Sequence, residues 1–330
     1  MNPEEYSPEL QSRLKKAKTQ SEEMLLPAYA GFSTFFRLPR AESPAGLDLA
    51  LVGVPFDGGV TVRPGARFGP RVLREQSLAV FPPYHHQLRF SPLDTHRMAD
   101  LGDVPIQDVY HLEASQADIG SWFRRLRDHD VRVVAAGGDH SVTLPILEGT
   151  SSGGLALVHF DAHCDTAPPH RGSDRAHGCP IRIAAESGRI DPRHTIQIGI
   201  RGGDELLWEY SYRSGMRVIH IEEFYELGWK GTVAEIRRVV GDTPAYISFD
   251  IDALDPAYAP GTGTPVSGGM TAFEAQQTLR GLAGLNFVGA DLVEVSPPWD
   301  PSGITAIAGC YLLWDLLCLL ALSPAFPPRT

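Results

Sequence analysis

Cysteine is scarce: the 330-residue chain has four, Cys164, Cys179, Cys310 and Cys318, and no Cys-x-x-Cys pair. That excludes a disulfide framework and a cysteine-based structural zinc site, and a chain this long needs no staples. The acidic, polar start has no apolar leader, so a cytoplasmic setting is expected. Positive charge is short as well. Lys and Arg number 29 against 40 Asp and Glu, and the net charge of -11 is the opposite of a nucleic-acid footprint and suits a small cationic ligand. The glycine-rich stretches 57–70 and 260–265 lack both the Gly-x-Gly-x-x-Gly spacing and a Lys-Ser/Thr ending, which excludes a nucleotide site. One long hydrophobic run stands out, 304–322. It is long enough for a bilayer, but Asp315 interrupts it and a short proline-rich tail follows, so a buried final helix at a subunit contact is expected and no membrane span.

What is present is material for a sizeable core, 43% hydrophobic residues. Residues 1–45 read as an N-terminal arm, helical around 8–23 and then dense in aromatics over 29–37, as a docking segment would be. From 46 to 330, short apolar runs alternate with amphipathic stretches. The pattern predicts strands at 49–54, 131–136, 155–160, 195–200, 217–221, 245–249 and 287–293, and helices at 70–80, 112–129, 177–188, 232–240, 271–283 and 304–322. The fold class is α/β: a three-layer α-β-α sandwich around a central, mostly parallel sheet.

In such sheets ligands bind beyond the carboxyl ends of the strands. Three predicted strands run there into metal-competent groups: Gly137-Gly138-Asp139-His140-Ser141, Asp161-Ala162-His163-Cys164-Asp165, and Asp250-Ile251-Asp252. Alternation along an extended backbone would bring Asp161, His163 and Asp165 to one face, and Asp250 with Asp252. Aspartates gathered without a partner repel one another, and divalent cations remove that cost. Oxygen ligands with two imidazoles suit Mn²⁺ and accept Zn²⁺, Co²⁺ or Ni²⁺. Cys164 alternates away from the ligands and reads as packing behind them.

These three motifs, with Ser248 to Pro256, the 63–70 loop, Gly261 to Pro265 and Glu294-Val295-Ser296-Pro297, resemble the ureohydrolase family, the arginase and agmatinase group, over nearly all of the chain from Pro27. The resemblance implies an arginase-like fold and two Mn²⁺ per chain. His140, Asp161, Asp165 and Asp250 would hold one, and Asp161, His163, Asp250 and Asp252 the other. It also implies assembly as trimers or hexamers.

The reaction it implies is hydrolysis of a guanidino compound to urea and an amine. A delocalised guanidinium resists neutral water, so two metals sharing a water are the source of a strong nucleophile. Asp165 would orient it. His177, at the start of a predicted helix whose dipole favours the neutral imidazole, would pass a proton to the leaving amine; His170 is a weaker candidate. Glu294, after the last strand, would pair with the guanidinium through both carboxylate oxygens. Agmatine is the first expectation for the substrate. Arg171 and Arg175 could instead bind the carboxylate of guanidinobutyrate or guanidinopropionate, and Phe32, Phe35 and Phe36 could close a pocket over a small guanidine. Competing readings are formimino hydrolysis in the same family, a single-zinc deacetylase-like amide hydrolase, and a non-catalytic assembly subunit.

Overall fold

A computed structural model describes residues 7–12, 15, 26–27, 29–80, 84–169 and 172–324. Eight strands form one parallel sheet in the order β2-β1-β3-β8-β7-β4-β5-β6: β1 Leu49–Gly53, β2 Met98–Asp103, β3 Arg132–Ala136, β4 Leu155–Phe160, β5 Ile190–Ile200, β6 Arg217–His220, β7 Ala245–Asp250 and β8 Phe287–Val293. The inner strands are buried on both faces, as expected of a parallel sheet covered by helices. One layer contains α1 Gly69–Ser77, α6 Ile221–Val240, α7 Ala272–Arg280 and α8 Ile304–Ala321. The other contains α2 Leu112–Arg127, α3 Thr143–Thr150, α4 Pro180–Glu186 and α5 Glu205–Ser214. This is the predicted three-layer sandwich.

Sequence periodicity missed three elements, each for a readable reason. β2 carries Asp100 and Asp103, which look wrong for a strand interior, but Arg74 Nε and Nη2 neutralise Asp100 at 2.8 and 3.0 Å. α3 carries Pro145, an unfavourable residue for a helix interior, but it sits in the first turn, where no intrahelical N–H is required. α5 follows a Gly-Gly turn and is started by Asp204, whose side chain accepts the Leu206 N–H. α6 begins well before the predicted residue 232 and runs through a break at Gly228, at φ 63°. α4 begins at Pro180, three residues later than predicted.

α8 is apolar enough to span a membrane, with mean hydropathy 2.0, but it packs on β8, α1 and α7 and is 78% buried. Its Asp315 is held in place by hydrogen bonds from His85 Nε2 at 2.5 Å and from the Arg280 guanidinium Nε at 3.0 Å, which supplies the opposite charge. In the arm, residues 8–12 are helical; most of the rest of the predicted helix lies outside the described residues. Phe35 and Phe36 are buried in the main core, with Phe36 against Trp314 at 5.0 Å between ring centres. Tyr29 and Phe32 stay exposed.

Candidate metal centre and active site

β3, β8, β7 and β4 are neighbours at the middle of the sheet, so the loops at their carboxyl ends converge on one spot. The sheet order thereby gathers His140, Asp161, His163, Asp165, Asp250, Asp252 and Glu294 from four segments distant in sequence. All but His163 are buried.

Around His140 the geometry is specific. Ser248 Oγ donates to Asp291 Oδ1 at 2.7 Å, so it accepts from His140 Nε2 at 2.9 Å. His140 Nδ1 then faces Asp165 Oδ2 at 2.9 Å, Asp161 Oδ2 at 3.0 Å and Asp250 Oδ2 at 3.2 Å, with no hydrogen-bond partner among the described residues. Burial opposes charging this imidazole, but the carboxylates prevail and raise its pKa well above the usual value. A single proton cannot satisfy three oxygens. Neighbouring ligands on an octahedral ion with bonds near 2.1 Å stand about 3 Å apart, so a divalent cation fits this nest better than a proton does.

A second group lies alongside. His163 Nδ1 is 3.1 Å from Asp252 Oδ2 and 3.4 Å from Asp161 Oδ1. Asp161 therefore belongs to both groups, one oxygen in each. Burial and the neighbouring carboxylates Asp252 and Asp161 push Asp250 well above the carboxylate range, whereas His163, against the effect of burial, is raised to about 12 by Asp252 and Asp161. Both shifts express a surplus of negative charge.

The gathering does not arise by strand alternation. β4 ends at Phe160, and residues 161–165 turn, with Asp165 at φ 51°, which sends Asp165 to His140 and His163 to Asp252. Asp250 ends β7, and Asp252 sits in the following 3-10 turn, where its own N–H donates to the Asp250 side chain at 2.8 Å. Glu294 too has positive φ, 64°. Left-handed non-glycine residues concentrate at functional sites, because strain of this kind persists only where the surroundings enforce it. Asp139 is not a ligand in this arrangement: it accepts the Gly59 and Ser141 N–H groups at 2.7 and 2.9 Å and ties two loops together. Cys164 is buried in the cavity wall, its thiol raised to about 12 by burial.

His177 lies beside the cluster. Its Nδ1 is 2.9 Å from Glu294 Oε1, and its Nε2 meets the Thr61 N–H at 3.2 Å and the Thr61 hydroxyl at 2.8 Å. The Thr61 N–H donates to Nε2, so in this geometry Nδ1 carries the ring hydrogen and donates it to Glu294. Burial works against the charge, but Glu294, Asp139 and Asp165 raise the pKa to about 9, and α4 begins too late in the chain for its dipole to decide the matter. Glu294 also departs from expectation: Oε1 is already committed to His177 and to the His140 N–H at 2.9 Å. Among the described residues Oε2 has no partner, so the two-oxygen fork is reduced to one free oxygen.

The adjoining cavity, about 180 Å³, has His163, Asp165, His177 and Asp250 at one end and Ala167, Gly178, Gly202 and Leu207 among its other walls. None of Phe32, Phe35 and Phe36 lines it. Arg175 is held on α2 by Gln116 Oε1 at 3.1 Å and is likewise absent from the wall, while His170 and Arg171 lie outside the described residues. Sequence reasoning missed Thr61, Ser248, Asp291, His159 and Gln197. Only His159 carried a signal, being two residues before Asp161.

A parallel α/β sheet with buried His/Asp groups sharing a carboxylate at its carboxyl edge, opening on a small cavity, defines a metal-dependent hydrolase. The family model "Arginase family" matches residues 47–318. Guanidinopropionase from Pseudomonas aeruginosa is 48% identical over 91% of this chain and 95% of its own length, and mitochondrial agmatinase from Gallus gallus is 43% identical over 88% and 86%. The crystal structure of proclavaminate amidinohydrolase from Streptomyces clavuligerus superposes with TM-score 0.86 at 38% identity, covering 90% of this chain and all of that one. The chain belongs to the arginase family, and is a hydrolase of carbon–nitrogen bonds in linear amidines.

Proposed function

We propose that this protein binds two Mn²⁺ ions and releases urea from a short guanidino acid. The observation that carries the metal reading is His140 Nδ1, unpartnered among three carboxylate oxygens. Cations bound here supply an activated water by lowering its pKa. His140, Asp161, Asp165 and Asp250 would hold one ion, and Asp161, His163, Asp250 and Asp252 the other. Their mostly oxygen donors favour manganese, with nickel, cobalt and zinc admitted. Asp165 Oδ2, at the His140 side of the cavity, orients the attacking water by accepting its hydrogen bond. His177, its pKa raised by Glu294, stands where it can carry the proton that the departing amine requires, and Thr61 steadies the ring. Glu294 Oε2 is the free acceptor for a guanidinium N–H.

For the far end of the substrate, the cavity supports a guanidino acid ahead of agmatine, the first expectation from sequence. Among the described residues, Asp165 and Asp250 are the only carboxylates in its wall, and both belong to the metal end, so none is left to receive the ammonium of agmatine. A guanidino acid avoids burying that second cation, and the 48% identity to guanidinopropionase agrees. Agmatine is the second reading, supported by the similarity to the Gallus gallus enzyme and by the net charge of -11. The half-exposed stripe Ile304, Ile307 and Tyr311 on α8 offers a contact for a homo-oligomer. The test is urea release by Mn²⁺-loaded protein from 3-guanidinopropionate, 4-guanidinobutyrate, agmatine and arginine. A guanidino acid is expected to lead in kcat/KM by at least about tenfold; a lead for agmatine would reverse the substrate assignment.

A further inference from the structure

We infer that His159 is a positioning residue, which holds the shared aspartate Asp161 by donating its Nε2–H, and that Gln197 fixes the tautomer that makes this donation possible. The two strands pair so that His159 of β4 stands directly opposite Gln197 of β5, both fully buried. Gln197 Nε2 is 2.6 Å from the Cys164 carbonyl oxygen and 3.0 Å from His159 Nδ1. A flipped amide would set two oxygens against each other at the Cys164 carbonyl, so the nitrogen assignment is forced by that contact. With one amide hydrogen on Cys164 O and the other on His159 Nδ1, Nδ1 is the acceptor and Nε2 bears the ring hydrogen. That hydrogen points to Asp161 Oδ2 at 2.9 Å.

Although His159 lies within reach of the same ligand atoms as His140, Asp161 and Asp165, it has no lone pair left for a cation. Its action is on the carboxylate. The Asp161 oxygens are secured separately, Oδ2 by His159 and Oδ1 by the His163 N–H at 2.6 Å. Each keeps a lone pair on the cluster side, Oδ2 toward His140 and Oδ1 toward His163. Rotation of this one carboxylate would spoil both groups together, and partners behind a metal ligand commonly contribute tenfold to hundredfold in metal affinity.

The inference rests on the metallohydrolase reading, and two measurements separate their fates. In metal-free protein with ¹⁵N-labelled histidine, the His159 ring is expected to show Nε2–H with an unprotonated Nδ1. Adding Zn²⁺ should leave that pattern in place. In Gln197→Glu, whose carboxylate cannot donate, Nδ1 should gain a proton. Calorimetric titration of His159→Phe with Zn²⁺ should show affinity reduced tenfold to hundredfold at both sites, and His159→Gln, which restores an N–H near the same place, should recover part of it. A wild-type ring protonated on Nδ1, an Nε2 that loses its hydrogen on adding Zn²⁺, or an unaltered affinity in a folded His159→Phe would overturn the inference. If His159→Phe fails to fold, the Gln197→Glu tautomer decides: an unchanged pattern there overturns it too. Wild-type protein that takes up no metal while showing the expected tautomer would sink the metallohydrolase reading instead.

Discussion

Gly202 offers the sharpest test of the second metal group. It is buried in the turn after β5, its N–H donates to Ala162 O at 2.8 Å, and its backbone lies outside the left-handed region, so alanine can adopt its conformation. A Cβ at this position would sit 2.5 Å from Cδ2 and 2.6 Å from Nε2 of His163. Carbon contacts settle near 3.5–4.0 Å, so the imidazole must retreat by roughly 1 Å, whereas metal–ligand distances tolerate only about 0.2 Å. Gly202→Ala should therefore detach His163 from Asp161 and Asp252 while leaving the group around His140 intact. The expected loss at that site is at least tenfold to hundredfold in affinity, or roughly 1.4–2.8 kcal/mol. Titrating metal-free protein with Mn²⁺ should show two ions held by wild type and one by the variant. Its metal-free unfolding free energy should fall as well, by roughly 1–3 kcal/mol, since the imidazole must be repacked. Gly178→Ala is the control: it lies in the same cavity wall, but its Cβ would meet nothing closer than Ala167 Cβ at 4.0 Å. Two ions bound by Gly202→Ala with wild-type affinity would refute the placement of His163.

Stability should respond to Asp315 in spite of its distance in sequence from the active-site motifs. Asp315→Leu matches the apolar helix but strands His85 and Arg280, and because Arg280 keeps Gln87 Oε1 at 3.0 Å and some exposure, a loss of roughly 2–4 kcal/mol is expected in denaturant unfolding. A change within about 0.5 kcal/mol would show that the cluster contributes nothing. Metal-free protein should lose stability as pH rises. The folded pKa of His177 is about 9 against 6.5 for the free side chain, so its contribution is complete below 6.5 and is lost towards 9, worth roughly 3 kcal/mol, and the raised pKa of Asp250 acts in the same direction. The melting temperature of chelator-treated protein should fall by several degrees between pH 6.5 and 9, while that of Mn²⁺-loaded protein should not, since ligand deprotonation favours binding. A flat or rising profile without metal would contradict the charge surplus.

How much of this was legible beforehand depended on the kind of physics each residue answers to. The ligands were readable because carboxylates and imidazoles at strand ends are costly without a purpose, and seven of the eight strands were readable because inner parallel strands are near-continuous apolar runs. β2 was hidden because its aspartates are cancelled by Arg74 from α1, a tertiary fact that local patterning does not register. The partners of His177 were hidden for a related reason. A helix dipole can be guessed from sequence order, but the Glu294 carboxylate just past β8, more than a hundred residues away, stands 2.9 Å from the ring. Thr61, Ser248 and Asp291 were invisible because hydroxyls and a lone strand aspartate are ordinary until the sheet order sets them behind a histidine. His159 differs: it stands on β4 two residues before Asp161, which directly follows the strand and lies 2.9 Å from its ring, and only the partner on β5 was missing. That partner decides its role, since a histidine with a free lone pair is a ligand and one whose lone pair is taken by Gln197 is a donor.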